Sequence, residues 1–146
     1  MRGWIWAAIL MAGQAAAEPG CPSGTEALVV AGDQVFRVEV AADAPTRQLG
    51  LSGRERLAPS TGMWFVLPAT GWYGFWMKDM RFAIDLVWVG DDRRVLKVEA
   101  LEPCGQGDCP SRFPPAPVSR VLEVNRGEFH APVGSPIELG CQLYQP

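Results

Sequence analysis

The chain has 146 residues, 48% of them apolar, with 13 Lys and Arg against 16 Asp and Glu, a single histidine and four cysteines. That length suits one domain around one core. A net charge of −3 with no basic run argues against a nucleic-acid-binding surface.

Met1 and Arg2 precede an apolar run, WIWAAILMAG (4–13), which ends in the small residues QAAA (14–17). This is the three-part pattern of a secretory signal peptide, with cleavage expected after Ala17. The run has only about half of the ~20 residues that a spanning helix needs, and no later segment is long enough to span. Cys21 lacks the small-residue box of a lipoprotein directly before it. The expected organisation is a signal peptide (1–17), a Gly/Pro-rich arm (18–33) and one β-rich domain (34–146), periplasmic or secreted. Without Arg2 the chain keeps 12 basic against 16 acidic residues, a net charge of −4.

After the arm, QVFRVEVA (34–41) alternates, with Phe36, Val38 and Val40 on one face, and reads as a half-buried strand. In residues 42–57 the period changes. Asp43 or Thr46 can cap a short helix with Pro45 in its first turn, and Gly50 and Gly53 end it. GMWFVLP (62–68) is a short apolar run closed by proline, and aromatic GWYGFWM (71–77) also suits a strand. AIDLVWV (83–89) and VLKVEAL (95–101) flank the turn GDDRR as a hairpin. Residues 103–117 form a proline-rich loop, SRVLEVN (119–125) is another strand, 126–135 is a turn, and PIELGCQLY (136–144) is the last strand. The expected class is mainly β: about seven strands and one short helix, in a mostly antiparallel sheet that curls or closes like a barrel to hide its edges.

An even cysteine count in an exported protein implies disulfides, and three pairings are possible. PCGQGDCP (103–110) can close Cys104 on Cys109, which leaves Cys21 with Cys141 to tie the ends together. On the chain-entropy model the small ring contributes about 2 kcal/mol and the long one nearer 5. Paired Cys-x-x-Cys spacing is absent, so a zinc site is not expected, and no motif calls for a metal or cofactor.

With these segments in order, the chain resembles the uncharacterised prokaryotic family known as domain of unknown function 192. The likeness spans about residues 34–143. It rests on Gly50, Leu51, Arg54 and Leu57, on Gly62, Met63 and Phe65, on Trp76-Met77-Lys78 with Asp85 seven residues after the lysine, and on Val121-Leu122-Glu123. Ser52 stands where the family usually has Met, Asp79 where it has Asn, Met80 where it has Thr, and Ala83 where it has Pro. The resemblance implies a compact, often exported β-rich domain and no established activity.

The charges within GFWMKDMRFAIDLVWV (74–89) single out candidate residues, because an unpaired buried charge costs several kcal/mol. Asp85 reads first as a structural anchor, satisfied by Arg54 or by backbone N–H groups of residues 78–83. The functional alternative is a polar pocket rimmed by Trp76 and made of Arg54, Lys78, Asp79 and Asp85. The aromatic residues Trp64, Trp72, Tyr73, Phe75, Trp76 and Trp88 read as core, with the tip at 71–73 the exposed part. His130 has no neighbouring nucleophile motif and reads as a surface residue, and the cysteines are committed to bridges.

No catalytic residue is assigned on this reading. The expected function is a monomeric binding or accessory module for an anionic or sugar-like ligand near Arg54, Trp76, Lys78 and Asp79. One alternative is an envelope-polymer hydrolase or lyase using Asp79 and Asp85. Another is a structural subunit that meets an envelope protein through an aromatic patch.

Overall fold

The computed structural model describes residues 20–141, so the signal-peptide segment lies outside the described residues. Strands β1 (Glu26–Ala31) and β2 (Gln34–Ala41) form a hairpin around Gly32, whose φ of 63° a side chain would oppose. The sequence alone assigns β1 to the irregular arm. Its inward residues Ala27, Val29 and Ala31 are buried, but the outward Leu28 and Val30 are apolar too, so no alternation marks it. Helix α1 (Ala44–Leu49) follows, with Asp43 as its cap. The Asp43 carboxylate accepts from Thr46 N at 2.8 Å, and that backbone bond holds its pKa below the usual value.

The helix and the loop after it return the chain so that β3 (Thr61–Gly71) runs parallel to β2, the one parallel pair among the described strands. Strands β4 (Ile84–Val89) and β5 (Val95–Leu101) make the expected hairpin, β6 (Val118–Asn125) inserts between β3 and β4, and β7 (Ile137–Gly140) joins β1. The sheet order is β5-β4-β6-β3-β2-β1-β7. Val95 N donates to Ser135 O at 3.0 Å, and Ile137 N to Arg93 O at 2.9 Å, which draws the two edge strands together. The result is a curled half-barrel of seven strands with one short helix. Past Gly71, the last residue of β3, residues 72–77 do not form a sheet strand as expected. They hold to Arg112 by a single bridge at Phe75, with bonds of 2.9 and 2.6 Å. Cys21 bonds to Cys141 across 120 residues and Cys104 to Cys109 across five, so both termini of the described chain are tied beside β1 and β7.

The curled sheet has a core on each face. The concave core draws Val29, Phe36, Trp64, Val87, Leu122 and Ile137 from six strands. The convex face carries Phe65, Ile84, Leu86, Trp88 and Val121 under a cover of Leu51, Phe75, Met77 and Met80. Strand β4 is therefore buried at every position. The Trp88 indole survives in the convex core because its Nε1 donates to Glu99 Oε2 at 2.7 Å.

Strands β3 and β6 approach closely at Gly62, where any Cβ would collide with the Glu123 carbonyl oxygen and come within 2.9 Å of Val124 Cγ1. Because the first obstacle is backbone in a paired strand, it cannot swing aside. Gly62→Ala is expected to cost about 2–3 kcal/mol in a urea titration, the range for overpacked cores. A variant as stable as the parent would show that this approach is looser than described.

Candidate functional site

Glu123 lies in the middle of β6, opposite Met63 of β3 and Leu86 of β4. Alternation sends Leu122 and Val124 into the concave core, and Glu123 with Val121 to the convex face. The residue is 6% exposed. Its carboxyl has no hydrogen-bond or ion-pair partner among the described residues, and burial alone pushes its pKa up to about 8.

This carboxyl forms part of the lining of a pocket of about 360 Å³. Leu51 comes from the loop after α1, Phe65 and Leu67 from β3, and Tyr73, Phe75, Trp76 and Met80 from the chain between β3 and β4. Phe75 stands edge-on to Phe65 at 5.1 Å and to Trp88 at 5.4 Å, so its position is set by the convex core. Arg47 of α1 also lines the wall, and its Nη1 donates to Ala42 O at 2.6 Å and Val66 O at 3.0 Å. Gly50 (φ 53°) ends the helix and lets the chain turn over the ring of Phe65. The arrangement is an apolar, aromatic cavity with one carboxylic acid and one guanidinium. Such a cavity holds an apolar body and orients it by a single polar group.

The residues singled out from sequence fall in three places. Arg54 Nη2 meets Glu39 Oε2 at 2.7 Å, on a separate depression beside β2. Asp85 is 5% exposed, and its Oδ2 accepts from Gly127 N at 2.9 Å and Phe129 N at 3.1 Å. It is an anchor for the turn after β6. Its donors are main-chain amides of that turn, not Arg54 and not residues 78–83; Arg81 faces Glu55 at 3.7 Å. Trp76, Lys78 and Asp79 do stay together, around a shallow depression of about 380 Å³. The Lys78 ammonium sits 5.2 Å from the centre of the Trp76 ring. The five residues therefore do not converge, and of them Trp76 alone lines the Glu123 pocket. Among the described residues no group of three or more His, Cys, Asp and Glu is placed to hold a metal ion.

Sequence reasoning takes in Glu123 within Val121-Leu122-Glu123 and gives it no role. The signal is nevertheless present. A carboxylate between Leu122 and Val124, in a strand apolar on one face and not at an edge, must face either water or a cavity.

Fold and site together define a small, disulfide-closed β domain, a curled half-barrel with an acid-bearing apolar pocket on its convex side. The chain belongs to the domain of unknown function 192 family, described as "Uncharacterized ACR, COG1430", whose model matches residues 27–137. A crystal structure from Sinorhizobium meliloti 1021, whose description proposes a transcription regulator, is 25% identical, with a TM-score of 0.71, over 82% of this chain and 98% of that one. A protein of unknown function from Novosphingobium aromaticivorans DSM 12444 is 28% identical, with a TM-score of 0.67, over 77% of this chain and 83% of that one. Among curated proteins none matches the chain.

Two stability measurements test this geometry. Asp85→Ala strands two main-chain N–H groups and is expected to cost about 2–4 kcal/mol, whereas Asp85→Asn, which keeps an acceptor oxygen, costs less. Wild-type stability after Asp85→Ala would remove its anchoring role. For Glu123 the folded pKa of about 8 lies above the ordinary 4.5, so the fold favours the protonated acid. Its contribution is complete below about pH 4.5 and is lost as pH rises toward 8, by at most about 1.4 kcal/mol for each step of one in pH. The stability of wild type minus that of Glu123→Gln should therefore fall by at least about 2 kcal/mol across that window. A flat difference would mean that the carboxyl reaches water.

Proposed function

We propose that this domain is a binding module for a small organic ligand with an apolar body, seated in the Glu123 pocket. The observation that carries this reading is a carboxyl lining an otherwise mainly apolar cavity with no protein partner among the described residues. A protein gains nothing in stability from such a group, and a ligand gains orientation from it. The cavity volume of about 360 Å³ lies within the range of small-molecule sites.

The anionic or sugar-like ligand expected near Arg54, Trp76, Lys78 and Asp79 has less support. Arg54 is spent on Glu39, and Lys78 already lies over the Trp76 ring. The hydrolase alternative has less again, since Asp85 is committed to two main-chain amides and Asp79 sits in an exposed turn. Export to an oxidising compartment remains part of the proposal. Two disulfides support it, and no helix among the described residues is long and apolar enough to cross a membrane.

Fragment titration followed by amide NMR tests the reading. Small aromatic and aliphatic fragments are expected to shift the amides of Leu51, Phe65, Phe75, Met80 and Glu123 together. Shifts confined to residues 76–79, or none across the fragment set, would overturn the Glu123 pocket as the binding site.

A further inference from the structure

We propose that the pocket takes a small organic cation, with the ligand's primary ammonium against the Glu123 carboxylate and its apolar body among Tyr73, Phe75 and Trp76. This rests on the binding reading above and names the ligand's class. The carboxyl lacks a donor from every described element that surrounds it. Its strand neighbours across the sheet are Met63 and Leu86, and Leu51, Phe65 and Met80 share the pocket lining with it. A cationic N–H group supplies that donor and the charge that favours the ionised acid, since such charge-assisted bonds are the stronger kind. Aromatic faces add attraction for a cation and none for an anion.

The other titratable groups of the lining do not compete for the carboxylate. Tyr73 donates its hydroxyl to Ala69 O at 2.8 Å. Arg47 directs its Nη1 to the carbonyls of Ala42 and Val66 at 2.6 and 3.0 Å and makes no ion pair with Glu123. The pocket thus holds one acid without an ion-pair partner among the described residues and one guanidinium tied to main-chain carbonyls. The competing class is a neutral ligand that accepts a hydrogen bond from the protonated acid. The two classes have opposite pH dependence. An ammonium displaces the Glu123 proton into solvent and binds better as pH rises. An acceptor needs that proton and binds worse.

Calorimetric titration of the full chain with phenethylamine, phenethyl alcohol and phenylacetate separates them. At about pH 8.5 the amine is expected to bind at least tenfold more tightly than the alcohol or the acid, and roughly 50-fold more tightly than at pH 6. Glu123→Gln, nearly equal in volume and relieved of a buried acid, should fold, lose at least tenfold in amine affinity and lose the pH dependence. Equal affinity for the alcohol or for phenylacetate, weaker amine binding at higher pH, or full amine affinity in Glu123→Gln would each overturn the cation assignment and leave the pocket standing as a binding site. Absence of binding by all three compounds overturns it as well. If the pocket amides are also silent toward the fragment set, the binding reading falls with it.

Discussion

Strand β6 has a strand on each side and a core on each face, and the rest of the structure follows from that burial. Its ladder bonds to β3 and β4 leave no edge toward water, Leu122 and Val124 fill the concave core, and Val121 fills the convex one. A carboxyl at position 123 therefore cannot be solvated by turning aside. It either meets a partner or meets a cavity, and this fold provides a cavity. Gly62 belongs to the same constraint, because the backbone of β6 can lie this close to β3 only where no side chain intervenes.

The convex face is closed by chain that is not sheet. Residues 72–77 alternate in exposure as a strand would, with Trp72 and Trp76 exposed and Met77 buried, yet their one bridge is from Phe75 to Arg112. The disulfide Cys104–Cys109 lies on this cover, and the convex core reaches both of its cysteines. A cover made of loops leaves gaps where a sheet would interdigitate, and the Glu123 pocket is such a gap. Asp85 of β4 is a second buried acid, paired in register with Val124, and two main-chain amides of the 127–129 turn close on its carboxylate. A buried carboxylate satisfied by backbone donors costs less than one left bare, and Asp85 has such donors where Glu123 has none among the described residues.

Three of the four departures from the family pattern have local explanations, and nothing in the structure explains Ala83. Asp79 occupies a left-handed turn at φ 60°, a conformation that Asp and Asn both tolerate, and its carbonyl accepts from Gly53 N at 2.9 Å. What this position contributes is backbone geometry, which the loss of an amide does not disturb. Ser52 donates its hydroxyl to Lys78 O at 2.9 Å, so two loops of the pocket cover are joined by a short polar tie where the family has a long apolar side chain. Met80 is 8% exposed and fills the convex cover, a more apolar choice than the usual threonine.

Much of the fold was legible in the residues because its signals are local. Alternation marked β2 and β5, Asp43 with Pro45 marked the start of α1, and the glycine-rich spacing of Cys104 and Cys109 marked their ring. Local signals failed where outward-facing positions are apolar, as at Leu28 and Val30 of β1, or where an aromatic run served a loop, as at residues 72–77. The site depended on tertiary structure almost entirely. Asp85 lies close to Lys78 and Trp76 in sequence and Arg54 shares the family motif with them, but the crossover from β2 to β3 gives Arg54 to Glu39, and the turn after β6 claims Asp85. Glu123 is more than forty residues from Phe75 and Met80, and it lies among them because β6 enters the sheet between β3 and β4. Sequence determined most of the segments that extend as strands and which of their faces are apolar, since those depend on neighbours along the chain. Only the order of strands in the sheet decided which charged groups found partners and which one was left facing a cavity.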